Sequence, residues 1–260
     1  MSDITIWMWT GFLLAAYSVI ANDSIQTLGT WIASNRKVNW KIMWGFAGSV
    51  LLFAIWYGWY AYDGSISYGR LNKIPFEGVE WYQALAPAVL LLLTRFGIPV
   101  STSFLVLSAF ASTVVLEKVL MKSMMGYCVA GVAAYVIWIA LTRLLDEGKP
   151  IKESNKMKWR VAQWVTTAFL WWTWLSHDMA NIAVFLPRQL SVDVMIIISV
   201  VFVAGLGWML QHRGGKIQQI VLEKKNTKYV RSATLIDLFY FIVLYIFKEM
   251  NDIPMSTTWV

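Results

Sequence analysis

Two aspartates stand inside apolar stretches long enough to cross a membrane. Asp23 lies between Ile4–Ile20 and Ile25–Ala33, and Asp178 lies within Val161–Pro187 beside His177. A carboxylate at membrane depth costs free energy and by default marks a path for an ion or substrate. Two hydroxyl clusters offer complementary chemistry: Ser101-Thr102-Ser103 after Pro99, and Ser256-Thr257-Thr258 after Pro254. Hydroxyls donate to a tetrahedral oxyanion or accept around a cation. Each proline fixes φ at its tip and brings no N–H to leave unpaired. Where a helix breaks, its free N–H groups suit an anion. Its free carbonyls, beside Asp23 or Asp178, suit a small cation such as Na⁺. Capping is the plainer account of the same residues, since Ser, Thr and Asp all cap helix starts. His177 likewise has two readings: a proton relay, because imidazole titrates near neutral pH, or a hydrogen-bonded packing group.

The spacing ties these residues together. Asp23 to Ser101 and Asp178 to Ser256 are both 78 residues, so the two sets are offset by 155. Under that offset Ile98-Pro99-Val100-Ser101-Thr102-Ser103 falls on Ile253-Pro254-Met255-Ser256-Thr257-Thr258, and Asn22 falls on His177. This is an internal repeat.

The elements that must hold these residues are spans. The chain of 260 residues is 58% hydrophobic and 14% charged, with mean hydropathy +0.56. A soluble domain is about 45–50% apolar and about 25% charged, so a soluble domain is excluded, as are a disordered chain and a disulfide scaffold. The single Cys128 forbids an internal disulfide or a thiolate metal cluster, and two histidines are too few for a His-rich zinc site. Met1-Ser2-Asp3 lacks the basic start of a cleaved signal, so the first stretch is read as a retained span interrupted at Asn22-Asp23. Ile42–Tyr62, Met124–Leu144 and Val194–Gln211 read as ordinary spans, and Val161–Pro187 as a long one interrupted at His177-Asp178. Tyr82–Phe96 and Phe104–Val115 are each too short to cross, which predicts a re-entrant hairpin over 82–117 with its Ser/Thr tip inside the membrane. Ser232–Met250 leads into the second tip in the same way. Trp56, Trp59, Trp81 and Trp159 read as an interfacial belt, and Trp171, Trp172 and Trp174 as deeper packing or lipid-facing groups.

Charge tests the topology. The net charge of +7 would suggest nucleic acid in a soluble protein; here it fits cytoplasmic loops, and no nucleic-acid partner is expected. With the N-terminus outside and 82–117 not crossing, the basic loops at 35–41, 143–160 and 212–231 all fall on the cytoplasmic side. An odd number of crossings then separates Asp23 from Asp178, so the halves are inverted, the architecture of secondary transporters. The expected fold is an all-α polytopic membrane protein of two inverted repeats with broken helices and re-entrant helical hairpins. Residues 1–123 form the first repeat, 124–160 a connecting span and cytoplasmic loop, and 161–260 the second repeat.

Four short segments carry a family resemblance. Ala21-Asn22-Asp23-Ser24-Ile25-Gln26-Thr27-Leu28-Gly29-Thr30 resembles the G-A-N-D-V-A-N-A-F-G-T signature of the inorganic phosphate transporter (PiT) family, and Ser176-His177-Asp178-Met179-Ala180-Asn181 resembles its second copy. Pro99–Ser103 and Pro254–Thr258 resemble that family's paired P-V-S-T-T-H tips. The resemblance implies import of inorganic phosphate driven by Na⁺ or H⁺, by a homodimer in a lipid bilayer, with a bacterial inner membrane as the expected location. By position it implies that Asp23 and Asp178 bind the coupling ion. Asn22, Asn181, Ser101, Thr102, Ser103, Ser256, Thr257 and Thr258 would bind the oxyanion. The sequence departs at Phe104 and Trp259, which replace the tip histidines, at His177 for an asparagine, at Gln26 for another, and at Gly45 where a glutamate is common. A second arm is also expected after the second tip, so the chain ending at Val260 reads as C-terminally incomplete.

Two alternatives stay open: a sulfate or other oxyanion permease on the same scaffold, and an ion channel, since re-entrant tips also build selectivity filters. Gly214-Gly215 lacks a Walker pattern, and no nucleophile or cofactor motif accompanies His177 and Asp178, so neither an ATP motor nor an enzyme with a cofactor is expected.

Overall fold

The structure is a computed structural model that describes residues 4–72, 74–95, 153–213 and 230–250, with scattered positions between 106 and 139. Every regular element among these residues is helical. Most of Phe104–Val115, much of Met124–Leu144, and the basic loops at 143–152 and 214–229 lie outside the described residues. The re-entrant path expected for 82–117 therefore has only its first arm in view.

Thr5 starts the first helix, its hydroxyl accepting from the Met8 N–H at 3.3 Å. Helix α1 (Ile6–Ser18) passes through a π-helical turn (Val19–Asp23) straight into α2 (Ser24–Ser34). Asn39 caps α3 (Trp40–Ala61), whose 22 residues span the hydrocarbon core at about 1.5 Å each. Its far end turns through Asp63 at φ 49° and Gly64 at φ 87°, a left-handed pair that only the glycine adopts freely. Helix α4 (Trp81–Arg95) has 15 residues with Pro87 inside, short of a full crossing. Helix α5 (Glu153–Ala183) is the longest, followed by α6 (Val192–Gln211), α7 (Val230–Leu244) and a second π-helical turn (Tyr245–Met250). Three described stretches are long and apolar enough to cross a membrane: Trp40–Ala61, Val192–Gln211 and Val230–Phe247.

Two expectations need correcting. Helix α5 runs without a break through His177-Asp178, and it begins at Glu153, inside the segment read as a cytoplasmic loop. The physical reason is plain in the residues: from Glu153 to Ala183 there is neither Gly nor Pro, so nothing forces the backbone out of the helix. The first helix is not broken at Asn22-Asp23 either. One turn widens so that the Ser24 N–H reaches the Val19 carbonyl, five residues back.

Helix α1 lies against α4, and α5 lies against α7; α3 packs on α6 and α5, and α2 packs on α5 and α7. Adding 155 to α1, α3 and α4 lands on α5, α6 and α7 in turn. Outward faces carry Phe53, Tyr57, Val89, Leu92, Ile196 and Val200, all exposed apolar groups suited to lipid.

Between helices the bundle is fastened by polar groups. The Trp44 and Trp56 indoles of α3 donate to the Val203 carbonyl (2.8 Å) and the Ser199 hydroxyl (3.1 Å) of α6. Trp59 donates to the Leu190 carbonyl at 2.8 Å, and Trp171 of α5 donates to the Ala47 carbonyl of α3 at 3.1 Å. At one end of α5, Arg160 donates to the Ser34 carbonyl (2.9 Å) and Asn35 Oδ1 (2.7 Å), while Asn35 Nδ2 donates to Gln163 Oε1 at 3.1 Å. At the other end Arg188, in the turn after α5, reaches the Ala183 and Val184 carbonyls at 3.5 Å and the Ile74 carbonyl at 3.1 Å. It supplies positive charge where the helix carbonyls end. Desolvation lowers its pKa from the ordinary value.

Candidate functional site

Asp23 closes the π-helical turn and is 1% exposed. Its carboxylate accepts from Asn22 Nδ2 at 2.9 Å, and Asn22 Oδ1 in turn accepts from Gln26 Nε2 at 2.9 Å. The sequence thus builds a relay of three side chains on adjacent turns. The widened turn is stabilised locally: the Ser24 hydroxyl donates to the Val19 carbonyl at 3.1 Å, and the Thr27 hydroxyl to the Asp23 carbonyl at 2.8 Å. The long side chain of Gln26 spans one helical turn to make its contact with Asn22.

Across the interface, α5 carries the second set. Asp178 is 4% exposed, and His177 and Asn181 are also buried. The His177 ring meets the Trp174 ring edge-on, centroids 6.4 Å apart. Positions 167, 170, 174, 178 and 181 recur every three or four residues, so Thr167, Leu170, Trp174, Asp178 and Asn181 share one face of α5. Asp23, Thr27 and Thr30 share a face of the first helix by the same rule.

The structure places all five residues of the two aspartate motifs, Asn22, Asp23, His177, Asp178 and Asn181, as buried polar groups. Because neither helix breaks at its aspartate, the free helix-end N–H and C=O groups expected there are absent, and the chemistry rests on side chains. Ser101, Thr102, Ser103, Ser256, Thr257 and Thr258, with Pro99, Pro254, Phe104 and Trp259, lie outside the described residues. Gly45 is exposed on α3, and a Cβ there would meet nothing within 4 Å. Position 45 points away from the interior, so a missing acid there removes nothing from the buried site.

One residue escapes the sequence reading. Asp237, inside the apolar stretch of α7, is 1% exposed. The Thr30 hydroxyl of α2 donates to its Oδ1 and the Thr167 hydroxyl of α5 to its Oδ2, each at 2.7 Å. The rule that singles out Asp23 and Asp178 applies equally to it. Beside it lies a cavity of about 20 Å³, enough for one water, bordered by Gln26, Thr27, Trp174, Asp237 and Tyr240. Trp174 therefore borders an internal space rather than only packing. No group of three or more His, Cys, Asp or Glu is arranged to hold a metal among the described residues. Comparison with known proteins finds no matching family model, no matching curated protein and no matching solved structure.

Proposed function

We propose that this chain is a secondary transporter that imports inorganic phosphate, coupled to Na⁺ or H⁺. One observation carries the reading: Asp23 and Asp178, 155 residues apart, are both buried, and the helices on either side of the Asp23 turn, α1 and α2, both pack on α5. Two carboxylates enclosed between helices in an apolar bundle are a demanding arrangement to keep for packing alone. The matched pairing of α1 with α4 and of α5 with α7 supports the internal repeat. With the charge topology, that repeat is inverted and the N-terminus is outside.

In this mechanism Asp23 and Asp178 neutralise the coupling cation, and the amides of Asn22 and Asn181 donate toward the oxyanion. Ser101, Thr102, Ser103, Ser256, Thr257 and Thr258 supply hydroxyl donors from the two tips. No covalent bond is made or broken, so the protein acts as a carrier and not an enzyme. A homodimer in a bacterial inner membrane is the setting the family resemblance implies.

The test is uptake of labelled phosphate by cells lacking their own phosphate carriers, with the Na⁺ gradient and then the H⁺ gradient imposed or removed. Uptake that follows a gradient, resists excess sulfate and drops at least about tenfold in Asp23→Asn is the expected result. Block by sulfate, or labelled sulfate entering instead, moves the assignment to a sulfate permease. Large currents without gradient coupling move it to a channel.

A further inference from the structure

A buried carboxylate that no part of the phosphate-binding scheme uses lies where three helices meet. Asp237 of α7 takes one hydroxyl on each oxygen, from Thr30 and from Thr167, at 2.7 Å each. The two hydroxyls stabilise the charged form, since a buried charge needs hydrogen bonds on its oxygens. They suit the neutral acid as well. A hydroxyl both donates and accepts, and a threonine in a helix can turn its proton to the carbonyl four residues back. Thr27, one turn before Thr30, makes that back-bond already, to the Asp23 carbonyl at 2.8 Å. Either threonine released in this way accepts from an Asp237 Oδ–H with no heavy atom displaced. The pair of hydroxyls thus fits both protonation states of the acid.

The site also has access and a destination. The cavity beside Asp237 has room for one water. Gln26 borders that cavity and donates to Asn22, which donates to Asp23. A proton arriving on Asp237 changes the field at the cavity, and Gln26 is the shared neighbour through which the Asp23 relay responds.

We infer that Asp237, held by Thr30 and Thr167 beside this cavity, is a proton-binding site linked to Asp23 through Gln26 and Asn22. In the binding step a hydronium in the cavity gives its proton to a carboxylate oxygen and leaves as water; the new O–H donates to a threonine oxygen. The link to transport rests on the phosphate-carrier reading, whereas proton binding itself does not. Among the described residues, the titratable or charged groups on the elements packed round it are few. They are Tyr240, Tyr245 and Arg231 on its own helix and the turn that follows, Asp23 on the first helix, and Lys156, Lys158, Arg160, His177 and Asp178 on α5.

The experiment measures the melting temperature of the purified full chain in detergent from about pH 5 to about pH 8, in choline and in Na⁺ buffers, because a group titrating differently in folded and unfolded protein makes stability depend on pH. The parent shows a midpoint in choline that Asp237→Asn lacks, while Thr30→Val and Thr167→Val each move it by about half a unit or more. A profile for Asp237→Asn that overlays the parent overturns the inference. So does a parent that responds to Na⁺ and not to pH, with the Na⁺ response lost in Asp237→Asn, which makes the site a metal-cation site. If Asp237→Asn does not fold, an unmoved midpoint in both valine variants overturns the inference just as well. Phosphate uptake run in parallel separates the two readings. A midpoint lost in Asp237→Asn with no uptake by the parent keeps the proton site and sinks the carrier; uptake with an unmoved midpoint does the reverse.

Discussion

The first helix and α5 each bury an aspartate, the two 155 residues apart, yet their backbones treat it differently. Asp23 lies in a widened π-helical turn, and Asp178 in an uninterrupted α-helix of 31 residues. Helix α5 is fastened at both ends, by Arg160 and Gln163 to Ser34 and Asn35, and by Arg188 to Ala183, Val184 and Ile74. The first helix has a side-chain relay at its midpoint instead. A π turn stores one extra residue within a helix and is frequent at functional sites. The contrast teaches that two buried carboxylates can be carried on different backbones: one is mounted on a rod, the other on a joint.

The comparison breaks most directly if the joint is removed. Deleting Ala21 removes the residue that the π turn stores, so regular α-helix should run through the turn with the flanking faces kept in register. Asp23 then loses its widened turn while Thr27 and Thr30 keep their face, and uptake falls to background in a protein that still inserts and stays monodisperse. Wild-type uptake from the deletion would make the π turn incidental.

A smaller effect is expected where the first helix meets the end of α5. A Cβ on Gly11 would sit 2.2 Å from Phe185 Cδ1, against a stiff ring that also stacks edge-on with Phe110. Gly11→Ala should lower stability by about 1–3 kcal/mol through overpacking, read as a drop in melting temperature, while Gly45→Ala, facing open space inside α3, leaves it no lower and raises it by up to about 1 kcal/mol.

The two fastenings of α5 give the finest distinction. Asn35→Ala strips partners from Arg160, Gln163 and Trp164 together and should cost about 1–3 kcal/mol. Arg188→Gln loses two long bonds and the 3.1 Å bond to the Ile74 carbonyl at a half-buried site and should cost about 1 kcal/mol. Equal losses in denaturation midpoint would mean that α5 is held evenly and that the ranking of its ends is wrong.

Much of this was legible in the residues. Runs of apolar side chains fix α3, α4, α6 and α7 to within a few positions, because in lipid only a helix satisfies its own backbone. The start of α5 was not, since Lys156, Lys158 and Arg160 read as a loop by charge while nothing among them breaks a helix. The break at His177-Asp178 was inferred from polarity alone, and polarity in a span signals burial as readily as interruption. Asp237 is hidden for a different reason. The offset of 155 sends it to Tyr82, so a search for matched pairs passes over it. Its partners, Thr30 and Thr167, are 207 and 70 residues away and become visible only in the folded bundle.

The indoles have a mechanical consequence. Lipid gives helices no hydrophobic reason to associate, so packing and interhelical hydrogen bonds hold them. Trp44 and Trp56 pin α3 to α6, and Trp171 pins α5 to α3. Those three helices form a chassis, and any other helix that moves must move against it.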